Sequence, residues 1–426
     1  MQSMKQRKAF KFQIIPNGEQ KRAMRQYTGN ARRVWNLALH RQQDNYANGE
    51  KYTNEFGMNA WLKEWKVAYP YLAASPSQTL QQVNKHLHTA FTRFFKKESD
   101  FPKPKKKGRS GDSFRFPQGF VIDQINSRIK LPKLGWIKYR NSQEITGKAK
   151  NITISCTGGR WYASIQTERE IETPLPRGDM VGIDVGIARF ATLSNGQHFD
   201  PLHSFKKHQA RLARCQRQMA HKTKFSNNWR KAKAKVTKLH IDISNARKDY
   251  LHKASHTISK SHAVVCVEDL QIRNMSRTAA GSIEAPGRNV RAKSGLNKSI
   301  LDQGWYEFRR QLDYKLAWNG GHLIAVPPRN TSRTCPCCGH VSADNRPTQA
   351  RFECVECGYE NNADIVGAMN ILSRGIRQLR DEGQDTADAS AGCHSTARIA
   401  CEVSGAVRPP AAGTHRSDLN MAQCPA

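Results

Sequence analysis

Two cysteine pairs, Cys335–Pro–Cys337–Cys338 and Cys354–Val–Glu–Cys357, constrain this 426-residue chain more than any other feature. Two residues separate the outer cysteines of each pair, and fifteen separate the pairs. That spacing lets four thiolates, Cys335, Cys338, Cys354 and Cys357, close a tetrahedron around one zinc ion. Gly339 and Gly358 follow the two pairs and turn the chain. Disulfides, or a chance cluster of buried cysteines, are the alternatives. Cys337 sits inside the first knuckle and competes as a ligand, so Cys335 and Cys338 are selected by spacing alone. A ribbon of this kind does not name a function; what flanks it does.

Charge narrows the partner. The chain carries 69 Lys+Arg against 35 Asp+Glu, a formal charge of +34. Each phosphate such a surface neutralises releases condensed counterions, so the excess predicts a polyanionic partner, nucleic acid before an anionic membrane. No apolar run approaches the ~18–20 residues that span a bilayer, and no signal-like segment follows the N-terminal lysines. Eleven cysteines, an odd number with four in the ribbon, read as thiols of a reducing compartment. The expected location is the cytosol.

Along the chain, residues 9–16 alternate like a strand, and 17–97 read as helices. Leu80, Val83, Leu87, Phe91 and Phe94 share one helical face. His86–Leu87–His88 falls in that stretch, where residues two apart diverge by about 200°, so it reads as solvated helix histidines rather than a metal pair. Residues 101–112 are a basic Pro/Gly linker. Short strands follow to about 167, with a hairpin turn at Thr157–Gly158–Gly159–Arg160. They predict a small β-barrel completed by the first strand.

From Met180 the pattern changes. VGIDVG (181–186) is a buried strand, and the next segment is its hairpin partner, turning at Asn195–Gly196. Two long helices, about 204–220 and 226–260, come next. Residues 204–253 hold fifteen Lys/Arg and only two acids, Asp242 and Asp249. Val236, Leu239, Ile243, Ala246 and Tyr250 form a coiled-coil-like seam. AVVCVED (263–269) is a second buried strand. A loop is expected over 276–297, a lid over the site below, then a helix over 299–318 and a third apolar strand at 322–326. After the ribbon a helix starts near Asn362. Residues 381–426 lack aromatics and predict a disordered tail.

Three acids stand out. Asp184 lies in an apolar strand, where a lone carboxylate is costly. Glu268 ends the second strand, and Asp364 sits in the first turn of the late helix. In a ribonuclease-H-like fold the first strand, the fourth strand and a late helix converge, so these carboxylates predict a two-Mg²⁺ site that hydrolyses phosphodiesters.

The set VGIDVG, VEDL followed by RNM, KSGLNKSILDQGW (293–305), TSRTCPCCG, FECVECGY and NADIVGAMNIL (362–372), with RRVWNLAL (32–39) and DSFRFP (112–117), resembles the TnpB proteins of insertion sequences. These are compact relatives of the type V CRISPR effectors, and the resemblance reaches to about residue 380. It implies an α+β multidomain protein. The wedge β-barrel would comprise 1–16 and 101–175, and a helical recognition domain 17–100. A RuvC-like nuclease with a basic helical hairpin would comprise 176–329 and 361–380, with the zinc ribbon inserted at 330–360. It further implies an RNA-guided DNA endonuclease, using a guide RNA from the transposon end against double- and single-stranded target DNA beside a short adjacent motif. By motif match Asp184, Glu268 and Asp364 are the catalytic Mg²⁺ ligands, and Cys335, Cys338, Cys354 and Cys357 the zinc ligands. Val366–Gly367 departs from the Asn–Ala that many members carry after the last acid.

Other readings follow from the same residues. VGIDVG also opens actin-like kinase folds, but no second Gly-rich phosphate loop follows Glu268. A non-cleaving RNA-guided DNA-binding protein and a transposition accessory protein or transposase are the remaining alternatives.

Overall fold

The computed structural model describes residues 3–108 and 111–384. They divide into two compact units, one drawn from 3–173 and 214–241, the other from 174–213 and 242–384. The disorder expected from 381 onward concerns residues that, beyond 384, lie outside the described set; the last helix runs through the first four of them.

In the first unit, β1 (Ser3–Ile15) leads into α1 (Gly18–Ala47). Asn17 and Gln20 start α1 with a reciprocal capping box, each side chain bonding the other's backbone N–H at 2.8 and 3.0 Å. Then come α2 (Glu55–Ala68) and α3 (Ser77–Phe95). Trp61, Trp65, Leu80, Leu87 and Phe91 bury together against Val34 and Leu39 of α1. Asn84 is buried among them because its amide donates to the Met58 carbonyl at 2.9 Å. The histidines are only partly as expected. His86 is exposed, but His88 is half-buried, stacked on Tyr52 and bonded to its hydroxyl at 3.0 Å.

Strands β2 (Asp112–Phe116), β3 (Val121–Asp123), β4 (Arg128–Leu131), β5 (Gly135–Tyr139), β6 (Lys148–Thr157) and β7 (Arg160–Glu172) complete this unit. The sheet order is β2-β6-β7-β1-β5-β4-β3, antiparallel throughout. The first strand is therefore central rather than the closing one. Its length explains this, since it pairs with β7 from Ser3 to Ile14 and with β5 only at Ile14 and Ile15. Alternate residues such as Phe10, Phe12, Phe116, Ile152 and Ile165 share one core, so the sheet curls around its apolar face. The β6–β7 turn needs two glycines because Gly158 and Gly159 both have positive φ, 58° and 78°.

The second unit is built on β8 (Asp179–Asp184), β9 (Ala191–Leu193) and β10 (His198–Phe199), then the start of α4 (Ser204–Ala220) and the second half of α5 (Asn227–Ser261), whose residues 214–241 belong to the first unit, followed by β11 (His262–Glu268), α6 (Ile272–Met275), α7 (Val290–Gln303), α8 (Trp305–Trp318) and β12 (His322–Val326). A two-stranded ribbon, β13 (Arg351–Glu353) and β14 (Glu360–Asn362), precedes α9 (Ala363–Gln384). The main sheet runs β10-β9-β8-β11-β12. Strands β8, β11 and β12 are parallel, while β9 and β10 turn back antiparallel. Period-2 alternation divides the faces. Val181, Ile183, Val265 and Val267 pack with Leu251, Ile258, Phe308 and Leu312 of α5 and α8. Cys266, Met180 and Val264 pack with Ile371 and Leu372 of α9.

Two expectations fail here. Residues 290–297 are helical, and the single helix over 299–318 is two helices broken at Gly304, whose φ is 75°. The start of α7 is tied down: Lys293 donates to the Met275 carbonyl at 2.8 Å and Asn297 to the Ser276 carbonyl at 3.0 Å. Any lid is confined to 276–289. The helical seam also drifts, because Ala246 is exposed while Leu251, Ala254 and Ile258 continue the buried stripe.

Candidate active site and cysteine ribbon

The sheet's pleat assembles the acid centre. Ile183 of β8 lies beside Val267 of β11, so Asp184 and Glu268 each end their strand one step further on. Met180, Gly182 and Asp184 share the α9 face of β8; Val264, Cys266 and Glu268 share it on β11. Asp184 closes its strand rather than lying within it. Helix α9 brings Asp364 in its first turn, where the Asn362 side chain caps the Asp364 amide at 3.1 Å.

Close approach makes this possible. A Cβ on Gly182 would lie 2.0 Å from the Ala368 carbonyl oxygen, and one on Gly375 2.2 Å from the Cys266 sulphur. Gly367 meets the centre itself: a Cβ there would sit 2.9 Å from Asp184 Oδ2. The Val366–Gly367 departure thus touches one of the acids, while Val366 packs into the ribbon core with Phe352 and Cys354.

Electrostatics ties the three acids together. Burial, then the charges of Glu268 and Asp364, push the Asp184 carboxyl up to about 8, against an opposing pull from Arg346. Burial also raises Glu268, opposed by a hydrogen bond from Thr331 and the charge of Arg374. Arg346 lies 3.6 Å from Asp364. Among the described residues the acids do not form a group whose ligand atoms all lie within 4.8 Å of one another; the four cysteines do. The acid centre is a gathering of repelling carboxylates, not a closed cage.

The cysteines form the closed cage. Cys335 and Cys357 sulphurs are 3.7 Å apart, and Cys338 and Cys354 3.6 Å. A zinc–sulphur bond of ~2.3 Å gives tetrahedral edges of about 3.8 Å, so these sulphurs fit that ion. Cys337 is exposed and outside the group. Gly339 and Gly358, with φ of 78° and 68°, make the two knuckles. Burial pushes Cys335 up to about 12. Burial opposes ionisation at Cys354 too, but the amides of Cys357 and Glu356 and the neighbouring thiols draw it down to about 6.

Sequence reasoning missed the supporting residues. Thr331 is buried and donates to Glu268 Oε1 at 2.6 Å. Asn345, fully buried in the ribbon, donates to the Arg333 and His340 carbonyls at 3.0 and 3.1 Å. Nothing in a single sequence distinguishes either from a loop residue.

Comparison with known proteins names the family. Residues 164–279 match the OrfB family described as "Probable transposase", and 305–371 match "Cas12f1-like, TNB domain". Residues 4–51 match a "Helix-turn-helix domain", although here they form a strand and one continuous helix. The chain is 54% identical over 375 residues to the protein named "Putative RNA-guided DNA endonuclease InsQ" of Escherichia coli strain K12, covering 87% of this chain and 93% of that one. It is 32% identical to a "Putative RNA-guided DNA endonuclease" of Streptomyces pristinaespiralis, over 88% and 90% of the two chains. Its fold is similar to that of Cas12f1 in a cryo-EM structure with sgRNA and target DNA, at a TM-score of 0.53 and 17% identity over 83% of each chain. Among the described residues no helix is long and apolar enough to cross a membrane. With near-complete coverage at 54% identity, the chain belongs to the TnpB (OrfB) family, of which Cas12f1 proteins are more distant relatives.

Proposed function

We propose that this chain is a transposon-encoded, RNA-guided DNA endonuclease that cuts target DNA beside a short adjacent motif. The observation that carries the reading is the convergence of Asp184, Glu268 and Asp364 on one face of adjacent parallel strands and the helix above them. The sheet order, with its two antiparallel strands and then two parallel ones flanking β8, supports a ribonuclease-H-like, RuvC-like nuclease. The names of the relatives support guide RNA and DNA as partners, and the +34 charge supports holding them by their backbones.

The acids' residue types fit Mg²⁺, a hard cation that takes few carboxylates and several waters. Bound there, paired ions would activate water and stabilise the leaving oxygen. The protein's part is to hold Glu268 and Asp364 beside Asp184, whose carboxyl burial and those two charges push up, so that a cation is favoured there. Thr331 and Arg374 work against the effect of burial at Glu268. Cys335, Cys338, Cys354 and Cys357 would hold a structural zinc. In this reading residues 1–16 and 101–175 form the wedge and 17–100 the recognition domain. The nuclease takes 176–329 and 361–380, the ribbon 330–360, and the protein works in the bacterial cytoplasm.

The test is plasmid cleavage in Mg²⁺ by protein co-purified with RNA from its transposon end, using a guide-matched site beside a randomised motif. Guide-dependent linearisation that disappears in Asp184→Ala is expected. RNA-bound protein that shifts DNA without cutting it would favour the non-cleaving binder.

A further inference from the structure

Helix α9 does more than carry Asp364. Asp364, Gly367, Asn370 and Arg374 recur at spacings of three and four, one face of the helix. Gly367 abuts Asp184. Asn370, buried, uses one amide nitrogen to reach two carbonyls, those of Thr331 and Thr334, both at 2.7 Å. Arg374 reaches the Pro327 and Arg329 carbonyls at 2.9 and 2.6 Å. The segment 327–334 is therefore pinned to α9 at four carbonyls, and it ends immediately before Cys335. Within it a tight turn forms at Asn330, whose φ is 61° and whose carbonyl accepts the Thr334 hydroxyl at 2.7 Å.

The product of all this anchoring is one hydroxyl. Thr331 has a single proton to give and two acceptors in reach, Glu268 Oε1 at 2.6 Å and the Pro328 carbonyl at 3.1 Å. The charge-assisted, shorter bond to the carboxylate takes it. Such a bond fixes Oε1 and leaves Oε2 for a cation. Resting on the nuclease reading above, we propose that Thr331 is a positioning residue for Glu268, and that the segment 327–334 couples the cysteine ribbon to the acid centre. The ribbon holds one end of that segment, and α9 clamps its middle. Loosening the ribbon would release Thr331 and let Glu268 turn away from the other two acids. Arg346, from the ribbon's own loop, reaches Asp364 from the other side at 3.6 Å.

The experiment compares wild type, Thr331→Val, Thr331→Ser and Glu268→Gln in the full chain with its RNA. Two readouts are taken: the Mg²⁺ concentration giving half-maximal guided cleavage, and the thermal shift of the protein on adding Mn²⁺ alone. Removing a side chain that orients a metal ligand weakens metal affinity by ~10–100-fold. Thr331→Val should raise the half-saturating Mg²⁺ by about tenfold or more and diminish the Mn²⁺ shift. RNA binding and zinc content should match wild type, and Thr331→Ser should restore both readouts. A Thr331→Val protein with wild-type metal dependence, or a Ser variant as impaired as Val, overturns the proposal. The nuclease reading itself fails separately, if Glu268→Gln keeps both cleavage and the Mn²⁺ shift of wild type.

Discussion

The ribbon and the acid centre lie within one unit of this protein and solve opposite problems. Cys335 stands 3.7 Å from Cys357 and Cys338 3.6 Å from Cys354 across the ribbon, each knuckle turned by a glycine with positive φ, as a closed tetrahedral site requires. Two carboxylates at strand ends and a third in the first turn of α9 gather without reaching such a geometry, and one of them is pushed up to about 8 by burial and its neighbours. A site that only stabilises can be shut and complete. The acid centre stays open and under repulsion, as the proposed nuclease site would have to in order to admit substrate. Thr331 and Asn370 link the two.

The largest expected effect breaks the closed site. Replacing Cys335 and Cys338 with serine would remove half of the proposed zinc ligands, and such an ion is worth ~10–16 kcal/mol in small zinc domains. Zinc content should fall to background, 330–360 should become protease-sensitive, and guided cleavage should vanish. Cleavage that survives with zinc gone would separate the ribbon from the acid centre altogether.

The next effect sharpens the contrast. Asp184→Asn should reduce cleavage by more than about a hundredfold, beyond the loss from second-sphere changes. The same change should stabilise the metal-free protein. Because the folded state holds the Asp184 proton more tightly than an unfolded carboxyl does, this group favours folding below pH ~4 and loses that contribution as pH rises through about 8. Thermal melts of metal-free wild type should therefore fall between pH 5 and about 8 relative to Asp184→Asn. Added Mn²⁺ should close the gap. Equal melting at both pH values would mean the acids are not under strain.

The smallest effect concerns Gly367→Ala. The new Cβ would stand 2.9 Å from Asp184 Oδ2, a flexible carboxyl end that can rotate aside. A gain of ~1 kcal/mol in helix propensity partly offsets the crowding. Cleavage should drop by less than about tenfold while melting stays within a degree or two. A complete loss would show that Asp184 has no room to adjust.

Much of this was legible because the signals are local. Cysteine spacing and two glycines define the ribbon, and period-2 runs define β8 and β11. A carboxylate flanked by Ile183 and Val185 has few structural reasons to exist, which marks Asp184; Glu268, at a strand end, reads by itself as a turn acid and gains weight only in company with Asp184. The convergence of residues as far apart as Asp184 and Asp364 needed a fold, read from its motif order and the family resemblance. What stayed hidden depends on tertiary contact. Residues 290–297, with Ser294, Gly295 and Asn297 among them, look like loop, yet Lys293 and Asn297 anchor them as the start of α7. The central place of β1 follows from a long pairing with β7, a partner some 150 residues away that alternation alone cannot choose. Thr331 reads as an ordinary loop threonine until Glu268 is beside it.

The most direct test of the account is anomalous diffraction from crystals of the protein with guide RNA and uncut DNA, grown with Mn²⁺ and measured at the zinc and manganese edges. A zinc peak is expected among Cys335, Cys338, Cys354 and Cys357, and manganese peaks touching Asp184, Glu268 and Asp364. A zinc peak with no manganese at the three acids would contradict it.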